Sequence, residues 1–443
     1  MNASQEQNMT YDVVIVGGGI SGTALLYLLS HYTDLKNICL IEKYADIASV
    51  NSHGKNNSQT LHCGDIETNY TLEKALQVQS TANMVVRYSQ SLPDMQHILS
   101  KTDKMVIGVG KKECDFLRDR FTTFSPHYPS MKLLQNEELA AIEPALMLGR
   151  EEEIVGLVTL DEYSTVNFQN LAVSFVDQAH KAEGKNIDVR MGTKVKKIST
   201  VGTTHTVSTD KGDIDARFVV VSAGGHSLLY AQQMGYGMEY SCLPVAGSFY
   251  YAPEILKAKV YTVQDDKLPF AAIHGDPDVL EPNKTRFGPT ALILPMLERY
   301  NWKTIPEYFK VLHLDSKVLA VFLDLFKVKE IRHYMIKNIL FEIPIIRRWL
   351  FTRDVRKLIP TAKMKDMHFA SKIGGIRPVM IDKKNRKLHL GEASIDTGKG
   401  LVFNMTPSPG ATSCLGNGEK DLRRIVAHLQ CRFDEEALLK DLK

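Results

Sequence analysis

Only two tryptophans and six cysteines occur in 443 residues, and no two of the cysteines stand as a C-x-x-C pair. So thin a scatter excludes a disulfide framework and a zinc knuckle, and it reads as a reduced, intracellular chain. The first ten residues, MNASQEQNMT, lack the apolar stretch of a secretory signal. No run approaches the ~18 uncharged residues that a membrane-spanning helix needs, so the chain is expected to be soluble or to lie on a membrane without crossing it. Charge of one sign is scarce as well: 54 Lys and Arg face 51 Asp and Glu, and a net +3 does not argue for nucleic acid. Nowhere do His, Cys, Asp and Glu take metal-ligand spacing, which predicts no metal. What is present is 44% hydrophobic and 24% charged residues, the composition of a globular protein with a sizeable core. The length fits one two-lobed unit or two to three ordinary domains.

The strongest positive signal is YDVVIVGGGISGTALLYLLSHYTDLKNICLIEKY, near the start of the chain. Val13 to Val16 is a short β-branched run, as expected of a strand buried on both faces. Gly17, Gly19 and Gly22 follow in G-x-G-x-x-G spacing, then a helical pattern from Thr23 to Ser30, then a second apolar run ending in Glu42 and Lys43. Gly17 allows the tight turn, Gly19 lets a pyrophosphate approach the backbone, and Gly22 lets the helix pack on the strand. The helix N-terminus at Ile20 and Ser21 offers N–H groups to phosphate, and Glu42 can accept from ribose hydroxyls. The order of parts predicts a dinucleotide site. Its extreme N-terminal position favours FAD over NAD, as do two later pieces. GTKVKKISTVGTTHTVSTDKGDIDARFVVVSAGG reads as a β-meander and a buried strand ending at Gly224 and Gly225, and NMTPSPGATSCLG as a loop with a helix start at Gly410, Ala411 and Thr412. No second G-x-G-x-x-G offers an NAD site to receive electrons.

Four further segments resemble flavoproteins related to D-amino-acid oxidase, and within them the malate:quinone oxidoreductases. They are NSQTLHCGDIETNYT (Asn57 to Thr71), RFGPTALILPMLER (Arg286 to Arg299), GGIRP (Gly374 to Pro378) and SPGATS (Ser408 to Ser413). NSQTLHCG and FAAIHGDPD are also similar to stretches of L-2-hydroxyglutarate oxidases. The resemblance implies FAD as cofactor, held by the residues above together with Gln59, Thr60, Leu61, Val195, Gly224, Gly375, Gly410, Ala411 and Thr412. It implies oxidation of (S)-malate to oxaloacetate by hydride transfer to flavin, with electrons passed to a membrane quinone. The longer acid L-2-hydroxyglutarate, oxygen as acceptor, and a non-catalytic FAD-stabilised partner of a membrane complex are the alternatives.

Such chemistry needs a held carboxylate and a base for the hydroxyl proton. Arg377, wedged in KIGGIRPVM between an isoleucine and a proline, suits the first task, because a guanidinium grips a carboxylate bidentately and stays charged. His274 is the first candidate for the base and His62 the second, and Tyr70 and Thr290 are expected substrate contacts.

The fold expected is α/β (α+β overall): a Rossmann-type FAD-binding lobe interleaved with an antiparallel-sheet substrate lobe and a helical basic insertion. The FAD lobe takes residues 1–85, 150–225 and 365–443; the substrate lobe takes 86–149 and 226–364, including a basic amphipathic insertion at 302–363. Strands are expected in LPVAGSFYYA and TALILPML, and a short helix in ELAAIEPAL. Between Lys303 and Lys357 stand twelve Lys and Arg against six Asp and Glu, interleaved with Trp349, Phe351 and many Leu and Ile. That pattern predicts contact with a membrane surface, and hence a peripheral protein on the cytoplasmic side.

Overall fold

Tyr11–Val16 is mostly β-branched, and a strand of that kind is stable where both of its faces are covered. The computed structural model describes residues 9–264, 272–389, 391–406 and 409–443. Most of MNASQEQNMT, Phe270 and Ala271 of FAAIHGDPD, and Ser408 of SPGATS lie outside them. Strand β1 (Tyr11–Val16) sits between β2 (Asn37–Ile41) and Gly212–Val221, and is parallel to both. Asn186–Arg190 extends the sheet beyond β2, and Leu401–Met405 extends it beyond Gly212–Val221, again in parallel. Helix α1 (Ile20–Tyr32) covers one face with the helices Phe168–His180 and Cys414–Leu429, and their side chains form the largest core. The expected meander is Val195–Val201, Thr204–Thr209 and Gly212–Val221, paired antiparallel. The helix expected from Gly410 begins slightly later, at Cys414.

The other lobe holds an eight-stranded sheet that is antiparallel apart from one parallel pairing, Lys104–Val109 with Lys259–Thr262. A four-stranded antiparallel sheet joins it to the first lobe, built around β3 (Tyr240–Ala246) and β4 (Ile376–Asp382). The fold class is the one the sequence predicts, with two local differences. LPVAGSFYYA is two strands, because the chain breaks between β3 and Tyr250–Pro253 at Gly247, whose N–H goes to the Gly375 carbonyl. TALILPML contributes only Leu292–Ile293, since the Ala291 N–H is taken by the Asn338 side chain at 2.7 Å.

Four consecutive helices occupy the basic stretch: α2 (Ile305–Leu312), α3 (Ser316–Lys327), α4 (Lys329–Leu340) and α5 (Pro344–Val355). His313, in the left-handed region at φ 42°, ends α2, and Asp315 caps α3 by accepting from Lys317 and Val318 at 2.8–2.9 Å. Each helix turns some apolar side chains onto the core and others outward. In α3, Val318 and Val321 are buried while Leu319, Leu323 and Phe326 are exposed.

The eight-stranded sheet contains a fully buried ion pair. Lys104 Nζ lies 2.9 Å from Asp65, whose carboxylate also accepts from Thr159 at 2.8 Å. Removing one member of such a pair strands the other charge away from water, at ~3–5 kcal/mol. Asp65→Asn should therefore cost about 3–5 kcal/mol of unfolding free energy in urea titrations. A loss below about 1 kcal/mol would show that Lys104 finds another partner or sheds its proton.

Candidate active site

β1 delivers the chain to a turn that only glycine can make. At Gly17, with φ 115°, a Cβ would sit 2.5 Å from the Ser222 carbonyl oxygen; at Gly22 it would sit 2.0 Å from that of Gly17. Gly19 is the N-cap of α1, and Ser52 Oγ accepts the Ile20 N–H at 3.1 Å. Glu42, at the end of β2, accepts from the Gly18 and Tyr44 N–H groups at 2.8 and 2.9 Å. Burial pushes its carboxyl above the usual range, against the pull of those two donors. A long cleft opens over this turn and runs into the second lobe, lined by Gly17, Gly19, Ile20, Ser21, Glu42, Lys43, Thr60, His62, Val195, Gly224, Thr290, Gly375, Arg377, Ala411 and Thr412. The glycine turn, the helix N-terminus and the acid at the end of β2 fit a bound dinucleotide.

The far end of the cleft is assembled by a tight joint. A Cβ at Gly374 would lie 2.0 Å from the Gly247 carbonyl oxygen, and one at Gly375 would lie 2.6 Å from that of Asn56. Asn51 binds both backbone groups of Ile376, at 2.9 and 3.1 Å, and Asn56 accepts the Gly374 N–H at 3.1 Å. The loop leading to Thr60 and His62 is thereby fastened to the strand that carries Arg377. In β4, Arg377 lies opposite Val245 of β3, and both line the cleft. Among the described residues its guanidinium makes no hydrogen bond or ion pair. Burial lowers its basicity, and the phenols of Tyr334, Tyr70 and Tyr261 partly offset this.

His62 gives its Nδ1 to the Glu67 carboxylate at 2.6 Å, while its backbone N–H donates to Thr412 Oγ1 at 3.1 Å. Buried Arg120 holds the same loop by donating to the carbonyls of Gly64, Glu67 and Tyr70. Thr290 Oγ1 accepts the Ser248 N–H at 3.0 Å. Other expected residues stand behind the cleft wall. Gly22 is inside the turn, Leu61 is in the core beside α1, and Gly410 is not in the lining. Gln59, at φ 53°, spends its side-chain amide on the Gly54 carbonyl and the Val279 N–H. Lys43 is ion-paired with Glu298, which also accepts from Tyr44 at 2.5 Å. Tyr70 does not line the cleft, but its phenol lies near Arg377, and burial lifts it well above its ordinary value.

His274 is off the cleft. It is buried in the eight-stranded sheet, stacked on Tyr261 with ring centroids 4.4 Å apart and 3.5 Å from Asp276. Tyr261 in turn meets Thr60 Oγ1 at 2.7 Å, and Lys259 donates to the same oxygen at 3.3 Å. Arg286 lies between Asp276 and Asp278, at 3.6 and 3.3 Å, with no exposure. Sequence reasoning did not find this network, nor Glu67, Tyr334, Asn51 or Asn56. Of these, only Glu67 carried a signal, its spacing of five from His62.

A model of the malate:quinone oxidoreductase family matches residues 9–417 of the chain. A probable malate:quinone oxidoreductase of Campylobacter jejuni is 45% identical, over 98% of this chain and 99% of its own. The malate:quinone oxidoreductase of Helicobacter pylori strain J99 is 44% identical over 98% of each. Among solved structures, dithionite-reduced L-α-glycerophosphate oxidase from Mycoplasma pneumoniae with FAD bound superposes with a TM-score of 0.63 at 18% identity, over 94% of this chain and 95% of that one. Glycine oxidase from Geobacillus kaustophilus gives 0.64 at 16%, over the same shares. These two likenesses speak for the fold.

Burial pushes the His274 imidazole down to about 4, from an ordinary 6.5. Between those values the unfolded chain binds a proton that the folded chain refuses. Stability is therefore full above pH 6.5 and declines as pH falls toward 4, by roughly 3 kcal/mol in all. His274→Gln should flatten that limb of the stability–pH curve, read from urea midpoints at half-unit steps. A slope equal to the parent's would mean that other groups carry the acid sensitivity.

Proposed function

The chain belongs to the malate:quinone oxidoreductase family, and from that premise we propose how its cleft oxidises malate to oxaloacetate for delivery of electrons to quinone. The glycine turn, Glu42, Thr60, Val195, Gly224, Gly375, Ala411 and Thr412 would hold FAD, which supplies an acceptor for the C2 hydride when bound. The observation that carries the reading is Arg377: a guanidinium in the cleft wall with no protein counter-charge among the described residues. A substrate carboxylate completes it, with two parallel N–H···O bonds that fix the position of C2. The Tyr70 phenol, kept protonated by burial, stands beside that carboxylate as a further donor. His62 is the base. With Nδ1–H held by Glu67, its Nε2 carries the lone pair that takes the hydroxyl proton, and the carboxylate stabilises the imidazolium that forms. His274, buried behind Thr60 and Tyr261, supports the wall. The names of relatives at 44–45% identity favour malate over L-2-hydroxyglutarate.

Anaerobic addition of (S)-malate to the purified yellow protein should bleach its flavin band. Arg377→Ala should lower kcat/KM for malate by about 10²–10³-fold, as expected for an unpaired charge, while FAD content stays near the parent's. His62→Ala should slow the bleaching by about 10²–10⁴-fold. Bleaching by malate at the parent rate in either variant would remove that residue from its role.

The membrane is proposed to meet the face formed by α2 to α5. Thirteen of the twenty-two large apolar side chains exposed among the described residues lie between Trp302 and Trp349, with Ile345 at 88% and Trp302 at 71%. So dense a set is uncommon on a face that stays in water. The local excess of Lys and Arg suits anionic headgroups, at ~1 kcal/mol per basic residue near the surface, and hence the cytoplasmic leaflet. No helix among the described residues is long and apolar enough to cross the bilayer. The protein should float with vesicles of 30% anionic phospholipid, and Ile345→Glu with Trp349→Glu should cut the bound fraction at least tenfold. Equal flotation of the double variant would move the attachment to another surface.

A further inference from the structure

We propose that the groove between α4 and α5 receives the ring of the quinone, a place distinct from the cleft that holds malate. The inference rests on the malate:quinone reading above and assigns the site of its second substrate. The groove has apolar walls from Ile336 and Leu340 on one side and Leu350 on the other, and it is lined as well by Tyr334 and by the polar Glu330, His333, Lys337 and Arg353. A quinone is a flat apolar ring with a carbonyl acceptor at each end, and His333 and Arg353 carry donors for them. The groove is continuous in the chain with the exposed apolar face. Exposed Ile339 stands between the lining residues Ile336 and Leu340 on α4, and Trp349 precedes Leu350 on α5 with the Arg353 guanidinium 5.5 Å from its ring centre. A prenyl tail lying across that face would thread the ring into the groove.

What ties the groove to the chemistry is that α4 has the cleft on its other side. Tyr334 packs on the cluster of Val245, Ala291 and Val379, and two of these line the cleft. One turn further along, Asn338 Oδ1 accepts the Ala291 N–H at 2.7 Å, so the helix is bonded to the cleft wall. The electrons thus cross one helix from cleft to groove. The atoms balance: malate gives up two electrons and two protons in becoming oxaloacetate, and the quinone takes two electrons and two protons, one proton at each carbonyl oxygen. The two protons that malate releases pass to solvent, and the groove, open to water at exposed His333, takes two from it, one at each carbonyl oxygen.

The two tryptophans of the chain allow a direct binding test. In a Trp302→Phe background, Trp349 beside the groove is the sole reporter, and a short-chain 1,4-benzoquinone with one isoprenyl unit is titrated against its fluorescence. Quenching should saturate. Ile336→Glu, at a half-exposed position, and Leu340→Phe, which fills the groove, should each weaken it at least tenfold. Val201→Glu, at an exposed apolar position outside α2 to α5, should leave it within twofold. FAD content and thermal midpoint report folding of each variant. Quenching that rises linearly would mean partition onto the apolar face, and quenching that falls equally in all three variants would mean a loss that does not come from the groove; either result overturns the assignment. Bleaching by malate, read separately, tests the underlying reading: its failure with saturable quenching would remove malate and keep the groove.

Discussion

A guanidinium cannot shed its charge, so where water is scarce something else must balance it. Elsewhere the fold supplies that balance itself. Lys104 has Asp65, Arg286 has Asp276 and Asp278, and Lys43 has Glu298. Arg377 is set into the wall of the cleft with three phenols in reach and, among the described residues, no carboxylate paired to it. A protein carboxylate there would be lower in energy for the free enzyme and would close the site to an acid. Leaving the place open gives a bound carboxylate an attraction that the empty protein cannot satisfy. In the proposed reaction, the selection of a 2-hydroxy acid and its orientation would both follow from that unbalanced charge in the cleft.

An anchor of this kind is useful only if its distance to the cofactor and to the base is fixed, because a misplacement of about 1 Å can cost 10²-fold in rate. The Gly374–Gly375 pair provides that rigidity by having no side chains. The strand of Arg377 comes into backbone contact with the Gly247 carbonyl on one side and the Asn56 carbonyl on the other, and two asparagines bond across the seam. The loop then runs through Thr60 to His62, whose N–H is tied to Thr412 at the start of the C-terminal helix region. The proposed substrate anchor, base and cofactor segments, from three distant parts of the sequence, become one body.

Much of this was legible in the sequence, and the limits have physical causes. The dinucleotide turn declares itself because every glycine in it answers a steric demand within one short βα unit. Arg377 stood out because a guanidinium flanked by apolar residues and glycines has few explanations. The failures are pairings between residues far apart in the chain. His274 read as a base because a histidine of ordinary basicity stands in FAAIHGDPD, which is similar to a stretch of L-2-hydroxyglutarate oxidases; the fold turns it into the sheet behind Tyr261, where burial strips it of basicity. The break in LPVAGSFYYA was hidden because Gly247 looks like an ordinary strand glycine until Gly375 presses against it. Lys43 does line the cleft, but its ion pair with Glu298, 255 residues away, could not be read from the sequence.

On the proposed reading, the helices α2 to α5 let two substrates of opposite character meet one redox centre. Malate is doubly charged and comes from water; a prenylated quinone is confined to lipid. An enzyme serving both must show each phase its own entrance and keep the two apart. A helix amphipathic in the usual way divides core from solvent, with one apolar stripe. These helices carry apolar side chains on both sides. The inward ones, such as Val318 and Val321, hold the insertion on the lobe that bears Arg377, and the outward ones, such as Leu319 and Leu323, remain uncovered by the chain. Covering the outer set with polar residues would have made a more soluble protein at no cost to the core. Its retention is intelligible if lipid is the missing neighbour. Then α4, bonded through Asn338 to the wall of the malate cleft, stands where the aqueous and the membrane halves of the reaction come closest.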